Sequence, residues 1–398
     1  MVVDPYWCPP HGAMPYPLVP VPSARRGPLK GLRLGVKDVF HVAGYPTSMG
    51  QPVLAARLGV ASKTAPVVAR LLEGGARWVG KTITDELAFS MTGDNVHYGA
   101  PINGAAPKRI TGGSSTGSAS ALSHGLLDVA LGTDTGGSVR APANHCGLWG
   151  IRPSHGRVPV DGVLAQAPSL DTCGWFTSNA AAFSRVSAWL LDDGLEQAGP
   201  VAPRWLWPQD LWALLAPGPM RSLQAVTRAA LKGQSLIPVT VLGEDMVTAY
   251  WAFRHIQGRE VWAEWGAWLL RDQPRLGAAV ADRMRWAQTV TAAQAREARA
   301  WRRRFSRRMD ALLGDDGVLV LPTMPDVAPL RATPEGELED YRNRALRLLC
   351  VAGLAGLPQI SMPVARRLRA PLGLSVLGPR GRDAQLVRWA QAFAPFTP

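Results

Sequence analysis

Two glycine-serine stretches lie close together in the first third of this chain, Thr111-Gly112-Gly113-Ser114-Ser115-Thr116-Gly117-Ser118 and Gly132-Thr133-Asp134-Thr135-Gly136-Gly137-Ser138. Glycine costs folding entropy and adds little to a core, so two such stretches about twenty residues apart need a reason. Solvent-exposed linkers would be the simplest one. Against that, Ala119 to Leu127 reads as a helix of small residues and Asp128 to Leu131 as a brief apolar strand running straight into the second stretch. Both loops are therefore expected inside the fold, where glycine brings backbone amides up to a ligand.

The flanking pattern predicts an α/β protein. Leu32 to Val36 reads as a buried strand ending at Lys37-Asp38, Thr64 to Gly74 as an amphipathic helix, Arg77 to Ile83 as a second strand and Asp85 to Met91 as a short helix. Residues 1–30 are proline-rich and read as an extended arm. From about 180 to 312 the chain reads as helical, with one strand near Ile237 to Leu242. Trp251, Trp262, Trp265, Trp268, Trp286 and Trp301 have the spacing of helix-packing core. Strands are expected again at Val318 to Pro322, Gln359 to Pro363 and Leu372 to Leu377, with helices near 338–353 and 382–394.

Several chemistries could use such loops. No Gly-Lys-Ser/Thr follows either one and no GxGxxG follows an early strand, which removes the common nucleotide-binding loops. Gly113-Ser114-Ser115-Thr116-Gly117 satisfies G-x-S-x-G and would make Ser115 an elbow nucleophile, but the preceding Asn103 to Thr111 reads as loop where that motif needs a strand. The remaining chemistry joins both loops to a lysine. A loop serine attacks an acyl carbon, loop amides hold the oxyanion, and a buried, neutral lysine takes the proton. A lysine can do so near neutral pH only where burial or a neighbouring cation depresses its pKa, and Lys37, ending the first strand, stands at such a place.

Charge does not compete with this reading. The chain of 398 residues carries a formal net charge of +13, which invites a nucleic-acid or membrane partner. Only six of its cations are lysines, however, and the arginines are scattered among alanine and glycine. The densest run, Arg296 to Arg308, reads as a solvated helix face, so neither nucleic acid nor membrane is expected as a partner. Cys8, Cys146, Cys173 and Cys350 are too few and too spread for a disulfide framework or a zinc site, no basic-then-apolar leader opens the chain, and no apolar run reaches the roughly 18 residues that span a bilayer. A reduced, cytoplasmic, metal-free and cofactor-free protein is expected.

Gly35-Val36-Lys37-Asp38, Gly112-Gly113-Ser114-Ser115 and Gly132-Thr133-Asp134-Thr135-Gly136-Gly137-Ser138-Val139-Arg140 together resemble the amidase-signature family. Ser114 and Ser138 stand 24 positions apart, in agreement with that family's spacing, and Pro142, Cys146-Gly147, Arg152-Pro153-Ser154 and Ala352 to Pro358 continue the pattern. The resemblance implies a single domain over residues 1–398, built on a mixed twisted β-sheet surrounded by α-helices, with about 180–312 as a variable helical portion. It implies Ser138 as nucleophile, Ser114 after a cis peptide bond as relay, and Lys37 as base. Thr135, Gly136, Gly137 and Ser138 would supply the oxyanion hole, while Asp134 and Arg140 brace the loops, Arg140 also being able to meet a substrate carboxylate. Ser115 would help near the triad, and Thr116, where many relatives carry glycine or serine, would narrow the pocket or shift the loop.

Within the family, Thr84-Asp85-Glu86-Leu87-Ala88, Asn95 to Pro101 and Asp171 to Phe176 look most like the short indole-3-acetamide hydrolase type. That implies hydrolysis of a small aryl-acetamide or aliphatic amide to carboxylate and ammonia through an acyl-enzyme, with a homodimer left open. The A subunit of an aminoacyl-tRNA amidotransferase and a catalytically silent scaffold are the alternatives.

Overall fold

The computed structural model describes residues 21–191 and 201–397, so residues 1–20 of the expected arm lie outside the described residues. Ten strands form one mixed sheet. They are β1 (Arg33–Lys37), β2 (Arg77–Thr82), β3 (Val129–Thr133), β4 (Trp149–Arg152), β5 (Cys173–Thr177), β6 (Arg204–Pro208), β7 (Ile237–Val239), β8 (Gly317–Pro322), β9 (Gln359–Arg367) and β10 (Ala370–Leu377). Their order is β2-β1-β3-β5-β4-β9-β10-β8-β6-β7. The fold class is the expected one, a mixed sheet with helices packed around it.

The sheet has a parallel block at each edge and antiparallel strands between. β1 runs parallel to β2 and β3, and β6 runs parallel to β7 and β8. The pairs from β3 across to β8 are antiparallel. β1, β3, β5 and β8 are buried almost throughout, which is why they read as continuous apolar runs and not as alternation. Because β1 and β3 are parallel neighbours, their carboxyl ends, Lys37 and Thr133, come side by side. In sheets of this kind ligands gather beyond those ends.

The helix expected at Ala119 to Leu127 instead occupies Thr116–Ser123, starting inside the first glycine-serine loop. Its small residues let it lie close on the sheet: Ser118 donates to the Leu131 carbonyl at 2.9 Å, and a Cβ on Gly117 would come within 2.5 Å of the Ile83 nitrogen. The expected helix at Asp85 to Met91 contracts to a single 3-10 turn, Glu86–Ala88. Thr84 and Asp85 donate from Oγ1 and N to the Ser114 carbonyl at 2.9 and 3.1 Å, and that pull toward the first loop leaves no room for regular helix.

Residues 180–312 contribute two strands where one was expected, since β6 joins the sheet beside β8. Its sequence, Arg-Trp-Leu-Trp-Pro, is too short to reveal a period. Long helices follow at Met246–Asp272, Ala278–Thr289 and Ala292–Leu313. Trp265 and Trp268 are core residues as expected, and Trp262, Trp286 and Trp301 pack against the core, but Trp251 is 44% exposed. Of the arginine run, Arg303, Arg304, Arg307 and Arg308 face solvent, whereas Arg302 turns inward and donates to the carbonyls of Ser169 and Leu354 at 2.7 and 2.9 Å. Among the described residues no helix is long and apolar enough to cross a membrane.

Candidate active site

Lys37 ends β1 with no exposed surface. Its Nζ lies 2.8 Å from Ser114 Oγ and 2.8 Å from Thr133 Oγ1, and among the described residues it meets no carboxylate. Lys81, the other buried lysine, forms a contrast, because its Nζ sits 2.5 Å from the Asp38 carboxylate. An ammonium without a counter-ion in a desolvated site loses its proton easily. Burial accordingly pushes Lys37 down to about 7, against the opposing pull of Asp85, Asp171 and Asp134.

Ser114 follows a cis peptide bond from Gly113, as the motif implied. Ser115 is spent on the sheet: its hydroxyl donates to the Thr133 carbonyl and accepts from the Thr133 amide, each at 3.3 Å. That commitment, with no histidine among its partners, removes the elbow reading and makes Ser115 a brace for β3 next to Lys37. The Ser115 amide also donates to the Ser138 carbonyl at 3.3 Å and so ties the two loops together.

Ser138 is buried except for 7% of its surface. Its hydroxyl holds no hydrogen bond among the described residues and opens onto a cleft of about 50 Å³. Gly137 has φ +115°, a backbone state that favours glycine, and this lets the loop turn toward the cleft. Of the four loop amides expected to face an oxyanion, that of Gly137 donates to Asp134 Oδ1 at 2.9 Å. The amides of Thr135, Gly136 and Ser138 make no hydrogen bond among the described residues.

Asp134 and Arg140 form a buried, two-point pair, with Nε to Oδ2 at 3.0 Å and Nη2 to Oδ1 at 2.8 Å. Arg140 also donates to the Leu349 carbonyl and to Gln359, at 2.9 and 2.7 Å. Arg140 is fully buried and does not line the cleft at Ser138, so the structure favours bracing over carboxylate binding for this residue. Arg152 closes the other side of Asp134 at 3.3 Å. Burial works against the Asp134 carboxylate, yet the Arg140 and Arg152 guanidiniums hold it well below the usual carboxylate range.

Thr116 does not line the cleft. Its hydroxyl bonds that of Thr111 at 2.7 Å and so closes the first loop on itself. Several residues at the site carried no expected role. Thr133 shares Lys37 with Ser114, Asp171 accepts from Thr135 Oγ1 at 2.5 Å, and Asp85, raised to about 7 mainly by burial, flanks Gly113. Phe253, Arg254, Gln257, Arg283, Arg342 and Leu346 cover Ser138 from distant helices. The adjacency of Thr133 to the second loop was readable in the sequence, but no local signal marks the covering residues.

A mixed ten-stranded sheet thus brings a buried lysine at the end of one strand up against two glycine-serine loops, the second of them at the end of the parallel neighbour, which is the arrangement the resemblance to amidases implied. The amidase family model matches residues 20–193 and 252–387, and the chain belongs to that family. Amidase 1 of Arabidopsis thaliana is 35% identical over 92% of this chain and 93% of its own length. The chloroplastic Outer envelope protein 64 of the same plant is 34% identical over 95% of this chain and 69% of its own length. A crystal structure of an amidase superposes with a TM-score of 0.82 at 29% identity, covering 92% of this chain and 85% of the other.

Proposed function

We propose that the chain hydrolyses a small carboxylic amide to carboxylate and ammonia, with Ser138 as nucleophile, Ser114 as proton relay and Lys37 as base. The observation that carries this reading is the buried lysine whose Nζ meets two hydroxyls and, among the described residues, no carboxylate. A structural lysine gains from a counter-ion, as Lys81 does with Asp38; a base gains from lacking one. A binding scaffold of the same fold would have no use for a lysine held near neutrality. Amidase 1 carries its name for amide chemistry, and its similarity along the whole chain supports the same class of reaction here.

The Ser138 oxygen bonds to the acyl carbon while its proton passes through Ser114 to Lys37, and the amides of Thr135, Gly136 and Ser138 take up the charge on the carbonyl oxygen. Collapse breaks the C–N bond, and the nitrogen leaves as ammonia with the relayed proton. Water then attacks the seryl ester, gives its proton to the same relay and releases the carboxylate, restoring Ser138. Ser138 and Ser114 close into a hydrogen bond only as substrate fills the cleft, a tightening common in catalytic sites. Cys146, Cys173 and Cys350 are buried and free, which is compatible with the cytoplasmic location proposed for the chain.

Hydroxylamine added during turnover tests the covalent route. It is expected to divert product into the hydroxamate, and intact-mass analysis is expected to place the acyl group on Ser138. Turnover with neither hydroxamate nor adduct would count against an acyl-enzyme.

A further inference from the structure

Among the described residues, three guanidiniums and no carboxylate line the cleft together with Ser138. Arg254, Arg283 and Arg342 come from three separate helices, Met246–Asp272, Ala278–Thr289 and Glu335–Ala355. Arg254 has a structural occupation, since it donates to the Tyr250 hydroxyl at 3.0 Å and lies 4.4 Å over the Trp286 ring. The other two are not so provided for. Arg342 pairs with Glu339 through Nη1, but its Nε is buried without a partner. Arg283 makes no hydrogen bond or ion pair among the described residues, and its Nε is also buried and unpartnered.

Two largely buried cations of the same sign, with unused donors and a shared opening, are costly to maintain unless an anion joins them. Burial first, and then the charge of Arg342, pushes Arg283 down to about 10, so it stays a cation at neutral pH. Asp94, Glu335 and Glu339 line the adjoining cavity of about 270 Å³, which shares Arg283 and Arg342 with the cleft. Their field helps the fold tolerate the cations but leaves both Nε donors unfilled. A guanidinium fork matches a carboxylate in shape and charge, whereas Arg140 and Arg152 are spent on Asp134 and neighbouring acceptors and do not line the cleft.

We infer that the substrate is an anionic amide, a short carboxylic acid monoamide whose free carboxylate is held by Arg283 and Arg342 while its amide carbon meets Ser138. This rests on the reading of Ser138 as nucleophile. The cleft beside Ser138 is small, about 50 Å³, which favours a short chain between the two ends. Arg283 and Arg342 thereby select substrate, and Gln257, whose Nε2 donates to Gln166 Oε1 at 3.0 Å, presents its own Oε1 for the amide end.

The test compares malonamate, succinamate and glutaramate with neutral amides of similar length, such as butyramide. Wild-type kcat/KM is expected to favour the best monoamide by roughly 30-fold or more. In Arg283→Met that preference is expected to fall to within about threefold, mainly through KM, with Arg283→Lys between the two. Calorimetric titration of Ser138→Ala with succinamate and butyramide reads binding without turnover, and also serves if Arg283→Met fails to fold. A wild type that treats charged and neutral amides alike, or a preference that survives Arg283→Met, overturns the anion site and leaves the amidase reading standing. Succinamate binding that needs Arg283, in a protein that hydrolyses no amide, supports the anion site and removes the amidase reading. Failure of the Ser138→Ala protein to bind any of the monoamides overturns the anion site.

Discussion

Lys37 is a base only when it is neutral, and its setting decides at what pH that happens. Burial lowers its pKa from the ordinary lysine value to about 7, so the neutral fraction grows as pH rises through that value. The kcat/KM profile is therefore expected to climb with pH around a midpoint near 7 and then level off; a rate that is flat from pH 5 to 9 would exclude Lys37 as the titrating base. Asp134 makes a separate prediction. It is enclosed by Arg140 and Arg152, and Asp134→Ala would leave two guanidiniums buried without their carboxylate. Removing one partner of a buried pair costs about 3–5 kcal/mol, so its denaturant midpoint should drop accordingly, while a change under about 1 kcal/mol would mean that the pair is dispensable. The meeting of Lys37 with Ser114, and of the first loop with the Ser138 loop, was legible in the sequence because each lies in a short, distinctive run. Arg283 and Arg342 were not, because they reach the cleft from helices far along the chain and stand out in no way from the scattered arginines around them.

The helix Thr116–Ser123 is where an element-level rule reverses. Glycine inside a helix usually gives way to alanine with a gain of up to about 1 kcal/mol. At Gly117 the added methyl would meet the backbone of Ile83 at 2.5 Å, and backbone cannot swing aside. Gly117→Ala is thus expected to destabilise by about 1–3 kcal/mol and to lower activity, because the helix start carries Ser114 and Ser115. A stabilised, fully active Gly117→Ala would show that the helix does not press on β2 as described. Elements with a strong period or a long apolar run, such as β1, β3, β8 and the helix Pro66–Glu73, were readable from sequence. β4, β5 and β6 were not, since four or five apolar residues fit a strand or a turn of buried helix equally well. The turn at Glu86–Ala88 is set by contacts with the first loop, which local sequence does not encode.

Over the whole molecule, the site is made by joining two kinds of structure. The parallel edge of the sheet supplies Lys37 and both serine loops within one hundred or so residues of the chain. The helices Met246–Asp272 and Glu335–Ala355 then cover it, bringing Phe253 against the Gly136 loop and Arg342 to the cleft mouth. On the proposed reading, the chemistry belongs to the sheet edge and its loops, and the choice of substrate to the helices that cover them, both of which lie within the part that matches the amidase family. Ammonia release is the direct measurement: purified chain is given succinamate, indole-3-acetamide, phenylacetamide, a short aliphatic amide and glutamine, beside a Ser138→Ala variant with the same denaturation midpoint. Turnover of at least one amide that vanishes in Ser138→Ala is the predicted result, and turnover that survives the substitution would contradict the account.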